Sequence, residues 1–279
     1  MLRAEWPLAI FTLLGQAACG LFLAVAIVRE ILSRKADTAQ AVKFTFRATL
    51  TAGVLMLAAT IVSLLHLGTP MGAYRSLFHL GSSWLSREIL ASILFGVLWV
   101  VATLMEKRGA GGLWLGRLTA LAGLFLVFAM SRIYMASVIP AWTSAFTLIS
   151  FAATALVLGG LAILVFLPAE AAALVRPVGP AMALTGLVLQ VGVLPFYIAG
   201  LGQGSDAARS SLALLMGAWQ PYLISHVVLT VLAGVVLGAM WLRRSDSFRL
   251  VYTALLLGLT GEAMARVVFY AIGIPTHIS

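Results

Sequence analysis

Charge is scarce in this sequence. Only 10% of the 279 residues are Asp, Glu, Lys or Arg, against about 25% in a soluble globular protein. That excludes an ordinary water-soluble domain. Cysteine is nearly absent. The single Cys19 leaves no internal disulfide, no Cys-x-x-Cys haem attachment and no Cys-ligated iron–sulfur cluster within the protein. No internal repeat and no low-complexity segment is visible. The net charge of +9 is spread thinly. No basic run is long enough to track a phosphate backbone, which argues against nucleic acid. Gln16 stands where a lipoprotein signal wants an aliphatic residue, and the apolar run around Cys19 continues to Val28. The first span therefore reads as a retained helix rather than a cleaved signal.

What is abundant is apolar sequence in long runs. The protein is 62% hydrophobic, with a mean hydropathy of +1.08. The runs reach about 20 residues, enough for a helix to cross a roughly 30 Å hydrocarbon layer. Strict alternation in segments of about 10 residues, the mark of a membrane barrel, is missing. The expected fold is an all-α integral membrane bundle of eight transmembrane helices, a single transmembrane domain over residues 1–279. The spans fall at about 7–28, 44–66, 88–105, 114–136, 145–167, 178–199, 222–242 and 250–272.

The loops alternate in charge. Twelve of the 18 basic residues, from Arg29 through Arg249, lie in the first, third, fifth and seventh connections. The positive-inside rule places those in the cytoplasm. Both termini then face outward, into the periplasm if the membrane is the bacterial inner one. On the same rule Arg29, Glu30, Glu106 and Glu170 read as ordinary orientation and interface residues. The loop near 200–221, with Gly202-Gln203-Gly204-Ser205-Asp206, reads as flexible.

The ionisable residues that remain gather by depth. His66 ends the second span. Gly68-Thr69-Pro70 then breaks and recaps the backbone, and a short interfacial helix is expected at about 70–80. Arg75 and His79 share one of its faces. Ser86 is expected to cap the third span, with Glu88 in its first turn. Arg132 and Tyr134 end the fourth span, and His226 lies about one turn into the seventh. Glu262, Arg266 and Tyr270 occupy the outer half of the eighth span, where the spacing lets Glu262 and Arg266 pair inside the bundle. Gln16 and Gln190, each about halfway along a span, read as glue to a backbone carbonyl or a neighbouring helix.

The two glutamines aside, all of these groups lie in the outer half or at the outer surface. A quinol must lose two electrons and two protons, so its site needs an apolar, lipid-accessible cleft and proton acceptors. Histidine suits that role near neutral pH, and a carboxylate near water can relay the proton. Blander readings stand beside this one. The helix dipole favours a histidine at a C-terminus and a glutamate in a first turn. His66 and His226 could instead hold a b-type haem. Arg75 and Arg132 fit interface anchors, and Tyr134 and Tyr270 fit an aromatic belt. Glu262 and Arg266 would also suit a transporter's midplane relay, although transporters usually show internal repeats.

Three ordered motifs carry a resemblance. They are Glu5-Trp6-Pro7-Leu8 with Phe11-Thr12 and Gly15-Gln16; Leu65-His66-Leu67-Gly68-Thr69-Pro70 with Ala73, Ser76-Leu77 and Ser86-x-Glu88-Ile89; and Gly261-Glu262 with Arg266 and Val268-Phe269-Tyr270. With them the protein resembles the membrane anchor subunit of the dimethyl sulfoxide reductase family over nearly its whole length. The resemblance implies a complex with a molybdenum-cofactor subunit and an iron–sulfur subunit. The anchor itself would hold no haem, iron–sulfur cluster or other metal. It would bind quinol, menaquinol being the expected form, and pass electrons to the iron–sulfur partner. It also implies quinol-binding roles for His66 and Glu88. Arg75, Arg132, Tyr134, His226, Glu262, Arg266 and Tyr270 are then supporting candidates. Reversed flow, with a sulfur-compound oxidase reducing quinone, fits the same anchor.

Overall fold

A backbone in hydrocarbon must satisfy its own hydrogen bonds, so long apolar runs become helices. The computed structural model describes residues 2–35, 37–64, 78–243 and 247–276, with side chains from Glu5 onward. Among these residues there are ten α-helices and no strand. They are α1 (Leu2–Lys35), α2 (Thr38–Leu64), α3 (Trp84–Lys107), α4 (Leu113–Met135), α5 (Ala145–Phe166), α6 (Ala169–Val175), α7 (Val178–Gln203), α8 (Asp206–Met216), α9 (Gln220–Leu242) and α10 (Phe248–Ala271). Eight of them are long and apolar enough to cross a membrane; α6 and α8 are the short ones. The expected eight-span architecture is therefore present.

α1 is the centre of the bundle. It packs on α2, α4, α5 and α10, and its apolar span is the most buried of the eight, whereas α3 and α9 are the least. α5 and α10 complete the interior, with α7 and α9 outside them. Small residues let α1 and α5 meet backbone to backbone. A Cβ placed on Gly20 would stand 1.8 Å from the Ala155 carbonyl oxygen, and one on Gly159 would stand 2.1 Å from the Gly20 carbonyl carbon. This is the close approach that drives helix pairing in lipid.

Gly159→Ala and Gly96→Ala should accordingly differ in sign. Alanine in place of glycine favours an open helical site by up to about 1 kcal/mol, and a Cβ on Gly96 meets nothing within 4 Å. At Gly159 the added methyl must push two backbones apart, at about 3 kcal/mol or more. Thermal denaturation in detergent should show a lowered midpoint for Gly159→Ala and an unchanged or raised one for Gly96→Ala.

Three boundaries depart from expectation. α1 begins at Leu2, so Pro7 sits inside the helix rather than in its first turn. The segment read as a flexible loop contains α8. Ser205 caps it, accepting from the Ala208 amide at 3.4 Å, and Ala208, Ser211 and Leu215 are its buried face. The third span starts at Trp84, four residues before the expected start. Its cap is Ser83, which accepts from the Ser86 amide at 3.3 Å, not Ser86. The interfacial helix expected at about 70–80 lies outside the described residues as far as 77; a short 3-10 turn follows at 78–79.

Candidate functional site

The new start of α3 changes the status of Glu88. It is the fifth residue of the helix, beyond the first turn where a helix dipole acts, and it is buried. A carboxylate in that position has no capping role. Its charge lies within electrostatic reach of the hydroxyls of Tyr134 on α4 and Tyr270 on α10. Those two hydroxyls hydrogen-bond each other directly.

The tyrosines do not form an interfacial belt. Both are buried, in an aromatic cluster with Trp142, Phe151 and Phe269. The Trp142 indole donates to the Phe269 carbonyl at 2.8 Å. The inward placement follows from the α4–α10 contact through their hydroxyls, which a belt position would leave to water.

One turn deeper lies a polar core built from four helices. Arg266 on α10 donates through Nη2 to the Gln16 side-chain oxygen on α1 at 2.6 Å, and to Thr154 Oγ1 on α5 at 3.3 Å. Its guanidinium carbon stands 4.1 Å from the centre of the Phe151 ring, an attractive placement for a desolvated cation. Glu262 accepts at Oε2 from Thr154 at 2.7 Å and from the Gln190 amide on α7 at 2.9 Å. Gln16, Gln190, Glu262 and Arg266 are all more than nine-tenths buried.

The expected direct pair between Glu262 and Arg266 is not formed among the described residues. Thr154 stands between them. The two side chains leave α10 toward different helices because Gln16 and Gln190 offer each a partner of the right polarity. The core also holds groups with no hydrogen-bond partner among the described residues: Glu262 Oε1, Gln190 Oε1, Gln16 Nε2 and Arg266 Nε and Nη1. Donors and acceptors are both represented, which is what ordered water satisfies.

His226 on α9 is buried, with Nδ1 3.0 Å from the Gly261 carbonyl. A carbonyl can only accept, so Nδ1 carries the proton. Gln190 and His226 share the wall of a cavity of about 40 Å³ with Ser150, Tyr197 and Phe269, room for water. Arg132, at the end of α4, stands 5.1 Å from the Trp84 ring centre. Arg87 holds the turn before α3, donating to the Leu80 and Gly81 carbonyls at 2.9 and 2.7 Å.

The structure thus brings Glu88, Tyr134, Glu262, Arg266 and Tyr270 to one end of the bundle, with His226 beside the polar core. His66 and Arg75 lie outside the described residues. Gln16, Thr154 and Gln190 join the site as new members. Spacing alone marks the two glutamines as interhelical glue, which they are. That both reach the charged side chains of α10 depends on how four helices face one another. Thr154 has no sequence signal, since threonine is common in apolar helices.

The opposite end holds a second correction. Arg29 is not an exposed orientation residue. It is 2% exposed and clamps Glu106 on α3 through both carboxylate oxygens, at 2.5 and 3.1 Å. Thr45 and Thr49 on α2 accept its remaining bonds at 2.7 and 2.8 Å. Glu30 behaves as expected at the surface, sharing its carboxylate between Arg34 and Arg117.

Over residues 2–272 the protein matches the family model described as DMSO reductase anchor subunit (DmsC). It is similar to the YnfH subunit of anaerobic dimethyl sulfoxide reductase from Escherichia coli (strain K12), with 31% identity over 278 residues, covering 96% of this protein and 94% of that one. The C subunit of anaerobic dimethyl sulfoxide reductase from Haemophilus influenzae (strain ATCC 51907 / DSM 11121 / KW20 / Rd) is 30% identical over 277 residues, covering 96% of this protein and 94% of its own length. The C subunit of the Escherichia coli (strain K12) enzyme is 36% identical over 153 residues, about half of each of the two proteins.

Proposed function

This protein belongs to the DMSO reductase anchor subunit family, and on that footing we propose that it oxidises quinol at the end of the bundle where Glu88, Tyr134 and Tyr270 meet. The observation that carries the reading is Glu88, buried past the first turn of α3 and within electrostatic reach of Tyr134 and Tyr270, whose hydroxyls pair one turn from the polar core. A buried carboxylate with no capping duty, beside an apolar aromatic wall, suits a proton acceptor for a lipid-soluble reductant.

Quinol enters from the bilayer with its ring against the aromatic wall. His66 takes a proton from one hydroxyl and orients the ring. Glu88 receives a proton and relays it outward, past Arg132 and the turn before α3. The Tyr134–Tyr270 pair fixes the edge of the cleft. Glu262 and Arg266, held by Gln16, Thr154 and Gln190, form its polar floor. Quinol becomes quinone, two protons leave on the outer side, and two electrons pass to an iron–sulfur partner that serves a molybdenum-cofactor subunit. The setting is the inner membrane of a bacterium, with both termini on the periplasmic side and menaquinol as the donor.

The test is turnover of the complete complex with a soluble quinol analogue and, separately, with a reduced viologen dye that feeds the catalytic subunit directly. His66→Leu should cut the quinol-dependent rate by about 10²-fold, the scale of a general base, and leave the dye-dependent rate intact. Full quinol-dependent turnover in that variant would sink the assignment.

A further inference from the structure

At the basic end of the bundle, the first turns of α2, the last turn of α3 and the turn into α4 enclose a cavity of about 510 Å³. It lies far in sequence and on the opposite end from Glu88 and the polar core. Its floor is apolar, from Val42 and Phe46, and its rim carries Lys43 and Lys107. Gly109 and Gly111 form the wall on the α3–α4 side. Gly109 has a φ of +72°, and a Cβ on Gly111 would come within 2.8 Å of Glu106 Cγ, so glycine keeps this wall bare.

The charges around the cavity are unequally matched. Glu106 also lines it, but both its oxygens are taken by Arg29 from inside the bundle. Asp37, just before α2, is turned to cap the helix at the Gln40 amide at 2.8 Å. Arg34 and Arg117 both pair with Glu30, sharing its one carboxylate. Lys43 and Lys107 have no ion-pair partner among the described residues. The rim therefore carries two uncompensated ammonium groups over an apolar floor. α3 is one of the two spans most open to lipid, and α2 is also largely open.

We propose that this cavity binds the headgroup of an anionic phospholipid. Its phosphate sits between Lys43 and Lys107, and its glycerol and first acyl carbons lie on Val42 and Phe46. Basic pockets between spans at a membrane surface take lipid phosphates in this manner, and lysine is a suitable point-charge partner for phosphate. The volume falls within the roughly 300–1,000 Å³ typical of small-molecule sites. A soluble anion would use the two ammoniums and leave the apolar floor unpaired, so the lipid is the better match.

The full-length protein, purified with its complex into nanodiscs of phosphatidylcholine with graded phosphatidylglycerol, is released and read by native mass spectrometry. Wild-type protein should keep bound phosphatidylglycerol in preference to phosphatidylcholine. The double variant Lys43→Gln/Lys107→Gln should hold it about 30-fold more weakly, on the scale of two surface charges. Arg243→Gln/Arg249→Gln, which removes two exposed charges from the α9–α10 side of the same end, should retain it. Equal retention in both doubles, or equal loss in both, would overturn the site. So would displacement of the lipid by excess inorganic phosphate, which would indicate a site for a free anion. Both lysines are exposed, and an unchanged thermal midpoint in the double variant separates lost binding from lost fold.

Discussion

Glu88→Gln should lower quinol-dependent turnover by about 10²-fold, the contribution of a proton acceptor placed within reach of its substrate, while dye-dependent turnover of the same complex stays at the wild-type level. Glutamine keeps the shape of the side chain and its hydrogen-bonding edge but cannot accept a proton. The fold should tolerate it, because Glu88 makes no ion pair among the described residues and caps no helix. Glu88→Asp tests position as well as charge. It restores the carboxylate one carbon shorter, and its rate should fall between glutamine and wild type. If Glu88 only shaped the cleft, glutamine would serve as well as glutamate and aspartate would be the poorer substitute. That order of rates would end the proton-acceptor assignment. A change in the binding constant of a quinone analogue, with turnover at saturation unaltered, would instead place Glu88 in binding alone.

The eight spans were legible because bilayer thickness sets a run length that the sequence displays openly. α8 was legible in principle. Ser205-Asp206 is a cap followed by an acidic first turn, but the glycines before it read as a loop. Glu88 stood out as an ionisable residue beside an apolar run, yet its burial could not be read. A four-residue change in the start of α3 decides whether it is a dipole partner in a first turn or a buried carboxylate beyond it. The polar core is the clearest limit. Gln16, Thr154, Gln190 and Arg266 are brought together from four helices, and periodicity within one helix does not say which faces meet. Arg29 and Glu106 were hidden for a different reason. Residues at span ends have a ready explanation in membrane orientation, and that explanation concealed a buried contact between two residues 77 positions apart.

Glu106→Leu should destabilise the bundle by about 3–5 kcal/mol, because it leaves the Arg29 guanidinium buried without its counter-charge. The side chains of the pair are 3% and 4% exposed, so water does not screen the loss. Arg29→Met should cost less. An abandoned carboxylate can take up a proton and become neutral, whereas a guanidinium cannot shed one in a protein. The double variant Arg29→Met/Glu106→Leu should recover most of the stability lost in Glu106→Leu, since an apolar pair of similar volume often replaces a buried ion pair without penalty. Thr45 and Thr49 do not become orphans in the double variant. Each already donates within α2, Thr45 to the Ala41 carbonyl at 2.8 Å and Thr49 to the Thr45 carbonyl at 3.3 Å. Reversible unfolding of the purified protein in mixed micelles, followed across all four genotypes, yields the coupling energy directly. A coupling near zero would mean that Arg29 and Glu106 act independently, and the clamp holding α1, α2 and α3 together would have to be sought in their apolar contacts. A large favourable coupling, with quinol-dependent turnover unchanged in the double variant, would show that this end of the bundle serves assembly while the chemistry stays at the other.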